Sequence, residues 1–323
     1  MLTLGFGSIF TVFCCASCVV SCVVNGLLVC IVQQRRARIG FYRFFTLATM
    51  LIGVMYSLAY AAAQPLWLAG PGILGFFSIS PWTRNINLIR IAYQLWFAAF
   101  VLIALSMACS FTYRYGLLCC PRIVSWFETP RRVVVILTFL LAISLWWLYV
   151  ADFLLFQESR RVRRMMHYKF SKEYSVDIMS SYILTVDIKV EASAQRSVTG
   201  ALICTIMMQL QIAIMFYWGV SIHNAVKVRV MSHRMRRIHK KALKMIIMQV
   251  RFNPVTFLYG PSFVNLYGMF VDTDFGQLSK FIALWMPLFP IFNPLIVIYF
   301  TQEYKQFIFN QRPSTVKVSS TVC

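Results

Sequence analysis

The side chains here that could cleave a bond or hold a metal are four histidines, ten cysteines and ten acidic residues. Their spacing supports neither. His167, His223, His233 and His239 all fall outside the apolar runs, away from any nucleophile they could activate. No Cys-x-x-Cys pair has histidine partners at zinc spacing. The sequence therefore reads as a non-enzyme with no cofactor and no metal. What remains is recognition chemistry: Tyr93, Gln94, Phe97, Asp152, Gln209, Tyr259 and Trp285 carry polar or aromatic groups within long apolar runs. Such a set suits a ligand pocket, since pockets are mostly apolar with a few placed polar groups. Asp152 is costly in a hydrocarbon setting and calls for a partner or water.

The elements that would position these residues follow from composition. Hydrophobic residues make up 59% of the chain and charged residues 13%, against about half and about a quarter in soluble domains. This is a membrane protein. The net charge of +21 does not indicate nucleic acid, because the basic residues lie in short segments between apolar runs. Seven runs have the roughly 20 residues a spanning helix needs: 8–32, 44–69, 91–118, 133–156, 198–222, 244–270 and 277–300. The expected fold is an all-α seven-transmembrane helix bundle forming a single domain over 1–323. The first run reads as a signal anchor, since MLTLGFGSIF lacks a basic n-region.

Charge sets the orientation. No charged residue precedes the first run, and Arg35, Arg36, Arg38 and Arg43 follow it. The positive-inside rule then places the N-terminus outside and the C-terminus in the cytoplasm. The cytoplasmic side gains HNAVKVRVMSHRMRRIHKKALK, including Arg234, Arg236, Arg237, Lys240 and Lys241. A segment this basic suits an acidic protein surface or anionic membrane lipids. FTQEYKQFIFNQR, after the seventh run, reads as a short amphipathic helix on the membrane surface. Cys119 and Cys120 lie where juxtamembrane thiols are sometimes palmitoylated.

The seventh run contains PLFPIFNPLIVIYF, with Pro287, Pro290 and Pro294 around Asn293. Each proline removes a backbone donor and disturbs the turn before it, which membrane helices tolerate when neighbours satisfy the freed carbonyls. Pro254 and Pro261 interrupt the sixth run in the same way. With Asn293 and Pro294 they are the candidate switch, because a kinked helix can have two packings of similar energy. Outside the bundle, the loop 157–197 has Val186, Ile188 and Val190 alternating with Asp187, Lys189 and Glu191. That pattern predicts a strand, in a hairpin over the bundle mouth.

Several motifs carry a family resemblance. Seven helices with an outside N-terminus is the plan of G-protein-coupled receptors. Arg114-Tyr115 ends the third run where rhodopsin-like receptors place Arg-Tyr, but Tyr113 stands in their acidic slot, and Val297 stands where they have a tyrosine. The only lysine in the region of the seventh run, Lys280, lies at its mouth, which does not suit an opsin. The chain more closely resembles the nematode chemosensory receptors of the str/srd type. The matching stretches are Gly40-Phe41-Tyr42-Arg43, Phe111-Thr112-Tyr113-Arg114-Tyr115, HKKALKMIIMQVRFNPVTFLYGP and PIFNPLIVIYFTQEYK. One departure is Asn293, where members often have Asp. The resemblance implies a plasma-membrane receptor of sensory neurons, their ciliary membrane included. It would bind an environmental small molecule or peptide and couple to a heterotrimeric G protein through Arg114, Tyr115 and the basic segment. The alternative is a ligand-gated channel or small transporter, but its polar pathway is missing: Asp152 and Arg251 are isolated.

Overall fold

The computed structural model describes residues 5–34, 42–70, 72–80, 85–156, 159–174, 181–228, 255–271 and 276–301, with Met179, Met248, Tyr304 and Ile308. The helices are α1 (Phe6–Gln34), α2 (Tyr42–Ala63), α3 (Ile86–Leu118), α4 (Pro121–Glu128), α5 (Pro130–Tyr149), α6 (Arg160–Tyr174), α7 (Glu191–Val228), α8 (Gly260–Phe270), α9 (Gly276–Trp285) and α10 (Phe289–Phe300). Wider π-turns extend α5 over Val150–Leu155 and precede α8 over Val255–Tyr259, and a 3₁₀ turn, Met286–Leu288, joins α9 to α10. Six helices among the described residues are long and apolar enough to cross a membrane: α1, α2, α3, α5 with its π-turn, α7, and α9 running into α10. Segment 255–270, with Met248, is the described part of the remaining run. Much of the bundle's outside is apolar, including Val12, Leu51, Phe139 and Leu210, as surfaces facing lipid tails must be.

Helix ends follow local chemistry. Asn85 caps α3, its Oδ1 accepting from the Leu88 N–H at 3.2 Å, and Pro121 and Pro130 open α4 and α5 where no donor is needed. The second run does not remain helical to residue 69. Gln64 takes a left-handed φ of 42° and Pro65 follows, a combination that stops a helix. The apolar residues beyond it form β1 (Pro65–Gly70) and β2 (Ile73–Ser78), antiparallel, with Gly70 opposite Ile73 and Gly72 at φ 74° in the turn. Glycine suits that position because a φ of 74° is strained for any residue with a side chain.

The strand expected around Val186 exists as β3 (Ile183–Asp187), but its partner is β2 and not a second strand of its own loop. The sheet order is β1-β2-β3. All three strands are buried along their lengths, because the sheet is covered on both faces. Trp67, Phe76 and Leu184 share the face toward the bundle, as their register places them side by side. On the other face α6 lies across Gly75, where the Met166 side chain would come within 2.9 Å of an added Cβ. The basic stretch SRRVRRMMHYK thus begins a helix that roofs the sheet. Ser159 fastens this roof: its N–H donates to Thr185 Oγ1 (2.9 Å) and its hydroxyl to Asp187 Oδ2 (3.0 Å).

The sheet closes the end of the bundle at which α1 begins. Thr11 Oγ1 donates to Gln64 Oε1 at 2.8 Å, the Gly72 N–H donates to the carbonyl of Met269, and Lys280 lies over the Phe6 ring. At the opposite end, α4 packs against Gly116 of α3, where an added Cβ would lie 3.1 Å from Val124.

Candidate functional site

Beneath the sheet is a space of about 70 Å³, lined by Trp67, Leu74 and Phe76 from the sheet and Trp96, Phe97 and Phe100 from α3. Trp147, Ala151, Leu155 and Phe156 close one side, Cys204 and Met208 of α7 another, and Ser262, Asn265, Leu266 and Met286 the rest. The walls are held by edge-to-face and stacked rings: Phe76 on Phe156 (5.2 Å), Trp96 on Phe97 (4.8 Å), Phe97 on Phe156 (5.6 Å). Such pairs add to the area each ring buries. The space is almost wholly apolar, but the indole N–H of Trp67 is buried and has no acceptor among the described residues. A buried donor without a partner is unfavourable.

A polar rim lies between this space and the outer face. Gln94 donates from Nε2 to Asp152 Oδ2 at 3.1 Å, which supplies the partner that an aspartate at this depth needs. Tyr182, just before β3, packs against Tyr93 with ring centroids 5.4 Å apart. Burial, with the nearby Asp152 carboxylate, pushes the Tyr182 phenol up to about 12, against a smaller opposing effect of Arg90. It therefore keeps its proton throughout the physiological range.

The prolines free carbonyls, and side chains from other helices cap them. Pro294 cannot donate to the carbonyl of Pro290 one turn back, and Asn25 Nδ2 of α1 donates to it instead at 2.9 Å. Pro287 leaves the carbonyl of Ala283 free, and the Tyr60 hydroxyl of α2 donates to it at 2.6 Å. In the π-turn before α8, the carbonyl of Thr256 faces position 261 in the five-residue register. That position is proline, and Trp285 Nε1 donates to Thr256 at 3.0 Å. Each break thus becomes an interhelical hydrogen bond. Gly53 of α2 adjoins this bond, and an added Cβ would sit in ordinary contact with Asn25 Oδ1 at 3.4 Å and Pro290 at 3.7 Å. Asn293 is buried, its Oδ1 without a partner among the described residues. It lines a cavity of about 20 Å³ with Thr46, Thr49 and Ser110.

At the other end, Tyr113 forms a three-ring cluster with Phe45 of α2 (5.6 Å) and Phe127 of α4 (5.5 Å). Half-buried Arg114 is next to it. Tyr115 packs on Trp218 of α7 at 4.1 Å. The aromatic in the acidic slot ties α3 to α2 and α4 by packing, in place of a charge.

These features are one aromatic cavity under a lid, proline breaks along the segments that line it, and an Arg-Tyr pair at the far end. A family model described as "Serpentine type 7TM GPCR chemoreceptor Str" matches residues 10–309. The chain belongs to the serpentine Str chemoreceptor family. It is a multi-pass membrane protein and a chemosensory receptor of the G-protein-coupled type. It is similar to "Serpentine receptor class r-10" of Caenorhabditis elegans, 20% identical over 89% of this chain and 86% of the relative. The protein of the same description from Caenorhabditis briggsae is 22% identical over 88% of this chain and 85% of the relative.

Of the expected pocket residues of this Str receptor, Phe97 alone is among those lining the cavity. Phe97 lines the cavity, Tyr93 backs it through Trp96 (6.0 Å), and Gln94 joins Asp152 at the rim. Tyr259 lies edge-on to Phe100 at 6.2 Å, and Trp285 stacks on Phe257 at 5.0 Å. Gln209 faces away from the bundle. It is exposed on the outer face of α7, and it is Gln211 whose Oε1 accepts from the Tyr259 hydroxyl at 3.2 Å. Two residues turn a helix by more than half a circle, so both cannot face inward. Pro261, Asn293 and Pro294 lie buried. Pro254, Arg234, Arg236, Arg237, Lys240 and Lys241 lie outside the described residues. Sequence reasoning missed Trp67, Leu74 and Phe76, whose signal was Gln64-Pro65 and Pro71-Gly72 punctuating the apolar run. It also missed Asn25 and Tyr60, the capping donors; a lone asparagine in an otherwise apolar helix was the signal for Asn25.

Proposed function

We propose that this receptor detects a small, mainly apolar molecule carrying one hydrogen-bond acceptor and activates a heterotrimeric G protein. The aromatic cavity supports this most directly. A cavity of about 70 Å³ walled by aromatic and aliphatic side chains suits a small, mainly apolar compound. Met286 lines the cavity and opens the 3₁₀ turn at the proline break, and mid-helix turns of this kind often mark hinges. Trp96 also touches Tyr60 (5.4 Å), the donor to Ala283. A guest that shifts Trp96 or Met286 acts directly on helix seven. Arg114, Tyr115 and the basic segment with Arg234, Arg236, Arg237, Lys240 and Lys241 would then meet the G protein, with anionic lipid as a second partner. The natural setting is the plasma membrane of a sensory neuron.

The test is a screen in cells with a G-protein-activation readout, using short ketones, aldehydes and esters beside alkanes of equal size. The acceptor-bearing compounds should activate and the alkanes should not. Ala151→Leu, which fills the cavity, should raise the half-maximal concentration roughly tenfold or more, since one misfitting methylene can cost that much. An unchanged response in a normally expressed Ala151→Leu variant would place the ligand elsewhere. Orientation is tested separately. A tag before residue 1 should be reachable by antibody on intact cells and one after residue 323 only after permeabilisation; the reverse would refute the N-out arrangement.

A further inference from the structure

On the outer side of the sheet is a second, open cleft of about 550 Å³, separate from the aromatic cavity. Arg160, Arg163 and Arg164 converge on it from the first turns of α6, opposite Ser181 and Tyr182, with Ile86 and Met179 along its edge. Spacings of three and four residues put these guanidinium groups on one helix face, where like charges repel. They also sit at a helix N-terminus, which already carries partial positive charge. Both effects favour an anion beside this face. The nearby carboxylate, Asp187, is buried on the sheet side of α6, where it accepts from the Ser159 hydroxyl at 3.0 Å and pairs with Arg161 at 4.0 Å. No acidic residue lines the cleft among the described residues. Arg163 is held in place, its Nη1 donating to the carbonyls of Met179 and Ser181 at 3.0 Å each. Arg160 and Arg164 are exposed to the cleft's solvent.

We infer that this cleft is a binding site for a small amphiphilic anion, its carboxylate or phosphate held by Arg160 and Arg164 and its short alkyl part lying on Ile86, Met179 and Tyr182. Planar guanidinium groups suit both headgroups through paired hydrogen bonds. The volume lies within the range of small-molecule sites. The inference goes beyond the aromatic cavity and does not depend on which molecule that cavity takes.

The experiment uses the full-length receptor in phosphatidylcholine nanodiscs and ligand-observed NMR with four probes of equal chain length: octanoate, octyl phosphate, octanol and octylamine. Octanoate and octyl phosphate should bind saturably and octylamine should not. Arg160→Gln with Arg164→Gln should weaken both anions at least about tenfold, as expected on losing charge-assisted hydrogen bonds, and leave octanol unchanged. Arg163 is kept because it braces the loop. Arg160→Glu with Arg164→Glu should exchange the preference in favour of octylamine. Equal binding of octanoate and octanol by the parent, or full octanoate affinity in a double variant of unchanged thermal midpoint, would overturn the inference. So would loss of octanoate binding when phosphatidylglycerol is added to the nanodisc, which would give the arginines to lipid phosphates. Failure of the neutral agonists in the cell screen would count against the aromatic cavity alone.

Discussion

Asn25→Ala should destabilise the receptor, and Pro294→Ala should restore much of what is lost. With Asn25 removed, the buried carbonyl of Pro290 loses the donor that reaches it at 2.9 Å, at a cost of about 1–3 kcal/mol for a buried group left unpaired. Alanine at 294 has an N–H and can donate to that carbonyl within helix seven. The effects should therefore be non-additive, the double variant lying closer to the parent than Asn25→Ala does. Thermal midpoints of the purified proteins, with surface level in cells, measure this. Simple addition of the two losses would show that the hydrogen bond to Pro290 does not stabilise the break. Function should diverge from stability in the double variant: it can regain its fold while helix seven straightens and agonist response falls. A double variant that signals like the parent would leave the prolines with a packing role alone.

Gly200→Ala should be the more damaging single change, because its obstacle is backbone. An added Cβ would lie 2.6 Å from the Leu155 nitrogen, 2.8 Å from its Cα and 2.9 Å from the Leu154 carbonyl carbon. No rotamer change relieves that, so α7 must move away from the π-turn. The hydrogen bond from the Ser197 hydroxyl to the carbonyl of Leu155, now 3.1 Å, would be strained as well. Overpacking costs about 1–3 kcal/mol where side chains can adjust; here the upper end or beyond is expected, seen as loss of surface receptor. Gly219, on the same helix, has nothing within 4 Å of an added Cβ. Gly219→Ala should express at least as well as the parent, since alanine favours a helix. Equal expression of the two variants would refute the close approach of α7 to Leu155.

Much of this architecture could be read from the sequence, because lipid demands long apolar runs and most of those runs are helices within a few residues of their expected bounds. The rest was hidden for physical reasons. In LWLAGPGILGFFS the strands are buried on both faces, so they lack the alternation that marks a half-exposed strand. They continue the apolar run of α2, and only Gln64 and Pro65 mark the change. β3 was visible through its alternation up to Asp187, but its partner lies more than a hundred residues earlier, and pairing at that distance has no local signature. Gln209 and Gln211 could not be told apart because α7 is apolar all round, and such a helix does not show which face looks inward. The freed carbonyls were predictable from the prolines; which donors reach them depends on helix packing.

The order in which the lid is made has a consequence for biogenesis. β1 and β2 emerge early in synthesis, yet the free edge of β2 stays open until β3 is made, after α3, α5 and α6. During that interval the nascent receptor carries an unpaired strand with Ile73, Leu74, Phe76 and Phe77, the kind of edge that recruits other chains. Substitutions that slow closure, such as a proline at Val186 or loss of Ser159, should prolong this vulnerable stage. They should act on maturation yield and chaperone association well before they alter any property of receptor that has finished folding.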